Sequence, residues 1–187
     1  MSAAEAWSLR AGYGYADHND LGQILSLASD PDNSNTASGG IAIGRLLSAN
    51  TWDLPLDFYL KSDLNWFFEN GYQDGFPELT LYLKVYWNLH PWNTTFRLGF
   101  GEGVSYAFGI PHVEKAEAER ENDNNSRILN YLDITFDFDA GRLVRCKPLE
   151  ATFFGVAIKH RSGIYGLING VRHGGSNYLL LYAEHNF

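Results

Sequence analysis

Cysteine is almost missing: Cys146 stands alone, which excludes an intrachain disulfide and any Cys-x-x-Cys metal site. No run of ~20 apolar residues occurs, so no transmembrane helix is predicted. Positive charge is scarce. The 14 Lys and Arg are outnumbered by 22 Asp and Glu, and the net charge of −8 argues against a nucleic-acid partner. Metal-ligand spacing of the HExxH kind is lacking too, since His18, His112 and His173 sit in separate polar stretches. Neither a metal nor another cofactor is therefore expected. "GFGEGVSYAFG" is rich in glycine but has no P-loop lysine, and reads as a strand whose small residues make room inside a barrel.

What the chain does have is aromatic residues (15%), 11 Tyr and 19 Gly, a composition suited to strands and turns. Its 187 residues suit one domain spanning 1–187, long enough to close a barrel. The opening "MSAAEAW" carries small residues of the kind left around a signal-peptidase site, with no charged or apolar region before them. It reads as the start of a mature exported chain.

Alternation with period two dominates. In "LDFYLKSDLNWFF" one face carries Leu56, Phe58, Leu60, Leu64, Trp66 and Phe68, and the other Asp57, Tyr59, Lys61, Asp63 and Asn65. "PELTLYLKVYWNL" repeats the pattern, with Leu79, Leu81, Leu83, Val85 and Trp87 opposite Glu78, Thr80, Tyr82, Lys84 and Tyr86. Such segments are strands with one apolar and one polar face. Fainter versions are "WSLRAGYGY", "GGIAIGRLL", "TFRLGFGEGVSYA", "LNYLDITFDFD", "TFFGVAIKHRSG" and "NYLLLYAEHNF", which makes eight strands in all.

Alternation alone leaves open which face is wet. A soluble barrel puts the apolar set inside, and a membrane barrel puts it outside. The clearest strands are long enough to cross a bilayer when tilted. Trp7, Trp66, Trp87 and Trp92 fall near strand ends, where interfacial girdles lie. Long polar connections (roughly 16–36, 69–76, 108–127 and 164–175) alternate with tighter ones such as "HPWN", although 139–149 is longer than usual. The terminal Phe187 on an alternating strand resembles the assembly signal of bacterial outer-membrane barrels, with His185 a departure from it. The expected fold is all-β: an eight-stranded antiparallel transmembrane β-barrel with long extracellular loops.

The inward set is then Asp57, Lys61, Asp63, Glu78, Lys84, Arg97, Asp133, Asp137, Lys159 and Arg161, charges that pair most simply with one another in a filled interior. Glu102 falls on the lipid side if phase holds, so a bulge or the outer rim is expected there. "EKAEAERENDNNSR" reads as a solvated loop.

The segment "FFGVAIKHRSGIYG" carries the chemistry. With an even strand number and both termini in the periplasm, the seventh strand runs outward and ends at His160 and Ser162. Residues i and i+2 share a face, so this pair belongs with Phe154, Val156 and Ile158 on the lipid side, while Lys159 and Arg161 point inward. Polar groups facing lipid are costly without a purpose. The pair reads either as an interfacial His160 at headgroup level with Ser162 already in the loop, or as a His160 base taking the proton of a Ser162 nucleophile as it attacks an acyl carbonyl.

"KHRSGIYGLINGVRHGGSNYLLLY" resembles the corresponding segment of PagL-type lipid A 3-O-deacylases, small outer-membrane barrels with a His-x-Ser pair on a late strand. The resemblance implies a Ser–His–acid triad that hydrolyses an ester-linked acyl chain of lipid A, with His160 as base and Ser162 as nucleophile. Two departures stand out. Gly163 occupies the place of the family's Asn, so the oxyanion donor becomes the Gly163 backbone N–H or Asn169. Where the family has its acid this chain reads "HGGSNY", which leaves Asn177 to orient His160 as an amide, since Glu184 lies inward at the far end. The implied partner is lipid A or lipopolysaccharide in the bacterial outer membrane. A homodimer is left open, and the competing expectation is a non-catalytic OmpX-like barrel.

Overall fold

The computed structural model describes residues 6–172 and 175–187. The first five residues and His173 lie outside the described residues. Eight strands follow one another: β1 (Trp7–Asp17), β2 (Ala37–Ser48), β3 (Leu56–Phe68), β4 (Phe76–Leu89), β5 (Phe96–Ala107), β6 (Ile128–Asp139), β7 (Thr152–Ser162) and β8 (Gly175–Asn186). Each pairs antiparallel with its neighbour, and β8 closes onto β1. The chain is a closed eight-stranded antiparallel barrel.

The hydrogen-bonding register defines the tilt. Starting at Trp7 and stepping across partners leads through Arg45, Leu60, Leu83, Glu102, Leu132, His160 and Asn177 back to β1 at Asp17. The path returns ten residues higher, a shear of ten. Closure with such a stagger tilts the strands by roughly 35–45°, so a twelve-residue strand rises about 30 Å along the axis. That length crosses a hydrocarbon layer.

Alternation decides the two faces. Leu9, Ile41, Leu64, Leu81, Phe100 and Val156 point out and are exposed, whereas Arg10, Lys61, Asp63, Tyr82, Asp133 and Lys159 point in and are buried. This inside-out distribution suits lipid outside and fits no soluble barrel. The interior is full. Six cations (Arg10, Lys61, Lys84, Arg97, Lys159, Arg161) meet six carboxylates (Asp63, Glu78, Asp133, Asp137, Glu184, Glu114) in ion pairs. Tyr82 and Tyr131 donate to Asp63, and Tyr86 donates to Glu184. Of the expected inward set only Asp57 is half-exposed, at the start of β3, where it accepts from Asn88.

Two expectations are corrected. Glu102 sits at neither a bulge nor a rim, because the ladder runs unbroken through it, opposite Leu83 and Leu132. Its carboxylate lies exposed on the outer wall. The acidic stretch after residue 110 is not simply solvated. It contains a helix, His112–Glu121, whose Glu114 and Ala118 are buried. Val113 packs on Ala16, Phe67, Ala107 and Tyr178, so the helix seals the loop end. Two shorter helices lie in other connections, Leu21–Leu25 before β2 and Ala140–Leu143 after β6. They are numbered α1 and α3, with the sealing helix as α2.

Candidate functional site

Strand β7 carries the pair outward at its loop end. His160 is two residues from the end of the strand and Ser162 is its last residue. Behind them on the inner face, Arg161 is fully buried between Glu78 (3.5 Å) and Glu114 (3.1 Å). Ser176 donates to the same Glu114 oxygen at 2.7 Å. This anchor fixes the end of β7 from the inside, so that the outward side chains start from a rigid base. Burial pushes the Glu114 carboxyl above the ordinary carboxylate range, with Arg161 and the Ser176 hydrogen bond opposing that shift.

Register brings the neighbours. His160 lies between Leu132 on β6 and Asn177 on β8, and Ser162 lies between Asn130 on β6 and Gly175 on β8. His160 Nδ1 is 2.7 Å from Asn177 Oδ1. Asn177 Nδ2 donates to the Asn19 carbonyl at 2.9 Å, and a carbonyl can only accept, so the amide is held with its oxygen toward the imidazole. The network therefore assigns the proton to Nδ1 and leaves the Nε2 lone pair free. Asn19 owes its position to Asp17, which accepts from the Asn19 N–H at 2.9 Å and also from Ser29 and Asp30. Asp20 adds a negative charge within electrostatic range of His160. No hydrogen bond joins Ser162 to His160 among the described residues.

The other expected members are placed as follows. Gly163 is buried, and its carbonyl accepts from the Ile168 N–H at 2.9 Å. A Cβ there would stand 2.1 Å from the Val171 carbonyl, so the close approach of the returning loop already demands glycine. Asn169 is not brought to Ser162 by its amide. That group donates to Ser126 (2.8 Å) and to the Ile128 carbonyl (3.3 Å), tying the loop across to the start of β6. Glu184 lies inside, paired with Lys61 and Arg97.

The fold is that of small outer-membrane barrels. The chain superposes on the crystal structure of the outer membrane enzyme PagL with a TM-score of 0.64, at 12% identity over 96% of this chain and 99% of that one. It also superposes on the crystal structure of Neisserial surface protein A with a TM-score of 0.52, at 13% identity over the full length of both. No protein-family model and no curated protein matches the sequence.

Two features of the site were not read from the sequence. Asn130 shares the outward face of β6 with Leu132 and Ile134, and counting back by two from Leu132 was the available signal. The loop after Ser162, expected to be polar, presents Tyr165 (93% exposed) and Leu167 (83%) at its tip. Ile164 and Tyr165 both have left-handed backbone, with φ of 49° and 52°, a cost that non-glycine residues bear only when the surrounding structure holds them. Among the described residues no group of three or more His, Cys, Asp or Glu side chains is arranged to hold a metal.

Proposed function

We propose that this barrel is an outer-membrane esterase that removes an ester-linked acyl chain from lipid A in the outer leaflet. The observation that carries the reading is the Nδ1 contact of His160 with a flip-locked Asn177. It leaves a basic Nε2 on the same lipid-facing wall as Ser162. Such an orienter, base and nucleophile form the logic of hydrolytic triads, including those whose third member is Asn. The resemblance of residues 159–182 to PagL-type deacylases and the similarity of fold to PagL support the substrate class.

The substrate arrives sideways within the membrane. Ser162 Oγ attacks the ester carbonyl as its proton passes to His160 Nε2. The imidazolium then protonates the departing alkoxide, and water repeats the cycle on the acyl-enzyme. The gap between Ser162 and His160 favours a second reading, a non-catalytic barrel of the OmpX type whose loops do the work.

Lipid A analysis separates the two. Expression in a Gram-negative outer membrane should remove one hydroxyacyl mass from lipid A, and both Ser162→Ala and His160→Ala should abolish that change while keeping the barrel folded. An unaltered lipid A with folded wild-type protein rejects the esterase. A mass loss that survives Ser162→Ala rejects the nucleophile.

A further inference from the structure

We propose that the side-chain amide of Asn130 is the oxyanion donor of this site, an inference that rests on the esterase reading above. Asn130 stands directly across from Ser162 in the β6–β7 ladder, and side chains so paired have Cβ atoms about 4.5–5.5 Å apart. It faces the lipid side, yet it is only 8% exposed. Its amide makes no hydrogen bond among the described residues. Its polar atoms are not among the fully enclosed unpaired ones, so the amide is unpaired yet reaches the outer wall. It is what a preformed donor for a transient charge looks like.

The surroundings say which way the carbonyl lies. The base comes from below Ser162 on the same strand and is oriented from the β8 side by Asn177. On the β8 side Ser162 faces Gly175, which brings no side-chain donor; a Cβ there would stand 2.3 Å from the Arg161 carbonyl. The β6 side is closed by Asn130. As the bond from Ser162 Oγ to the carbonyl carbon forms, the π pair moves onto the carbonyl oxygen, and the serine proton goes to His160 Nε2. The Asn130 N–H then donates to that oxyanion, with the Gly163 backbone N–H as its companion. Collapse breaks the bond to the alkoxy oxygen, which takes the proton from His160.

The full chain, refolded in detergent micelles with lipopolysaccharide as substrate, tests this. Asn130→Ala should lower kcat about 100- to 1,000-fold, the effect of losing one oxyanion donor, with KM changed less than about threefold on the same argument that the donor acts on the transition state. Asn130→Asp, of the same size but unable to donate when ionised, should lose at least as much. Both variants should keep the heat-dependent gel mobility of a folded barrel. Labelling of Ser162 by a fluorophosphonate, whose phosphoryl oxygen takes the oxyanion position, should slow in parallel. Rates for both variants within about threefold of wild type, far below the loss of a true donor, would overturn the inference and leave the esterase standing. So would a defect confined to KM, or failure of both variants to fold, which would make Asn130 structural. A wild-type chain that neither cleaves lipopolysaccharide nor labels at Ser162 would overturn both readings together.

Discussion

At the scale of single residues, the proposed site uses an amide where a carboxylate is customary, and the surroundings of Asn177 show why. Its second function is to donate to the Asn19 carbonyl, which a carboxylate cannot do, and Asp17 stands directly across from it. An aspartate there would meet a carbonyl and a carboxylate at once. In the proposed reaction the amide would orient His160 but could not neutralise the imidazolium as an acid would, and Asp20 supplies the nearby charge from an exposed position. Replacing Asn177 with Ala frees the imidazole to rotate and to change tautomer. The expected outcome is a loss of about 10²-fold or more in kcat, on the scale of a misdirected catalytic histidine, measured as lipopolysaccharide deacylation by mass spectrometry. Near-wild-type turnover would show that Asn177 plays no part in orienting the base.

At the scale of elements, β7 and α2 are one unit. Helix α2 sends Glu114 down to Arg161, which lies on β7 between His160 and Ser162 but points the other way. Because burial raises the Glu114 carboxyl, the docked helix binds a proton more readily than the free one. A carboxyl raised on docking favours docking at low pH. That advantage fades as pH rises from the ordinary value of 4.5 through the raised one. Hydrogen exchange of the α2 amides, corrected for intrinsic rates, should therefore be slower at mildly acid pH than at alkaline pH. Glu114→Gln, which can still accept from Ser176, should remove most of the difference. Equal protection at both pH values in the wild-type chain would reject the link.

At the scale of the whole molecule, the barrel is stabilised by its filled interior as much as by its ladders. Asp133 accepts from Arg10 and Lys84 at 2.7–3.1 Å, and both cations are buried with it. Asp133→Asn takes from Lys84 its paired carboxylate and leaves Arg10 with Asp63 alone, and the expected destabilisation is about 3–5 kcal/mol, read from urea unfolding of the barrel in lipid vesicles. A loss below about 1 kcal/mol, the worth of an exposed pair, would mean that the interior repairs itself through water or other partners.

Period-two alternation determined the strands and their two faces and put His160, Ser162 and Asn177 in phase with the apolar set; strand length, the Trp positions and the terminal Phe187 turned that set outward. Those features follow from local geometry, since a strand turns every second side chain to the same side. The partners were another matter. Which residue lies beside Ser162 depends on register and on a shear of ten, and a shift of one residue would replace every neighbour. Asn130 and the Asn19 carbonyl reach the site only through that closure. Glu114 was hidden for a different reason: its helix is polar nearly throughout, so nothing in its pattern marks the one carboxylate that Arg161 draws inside.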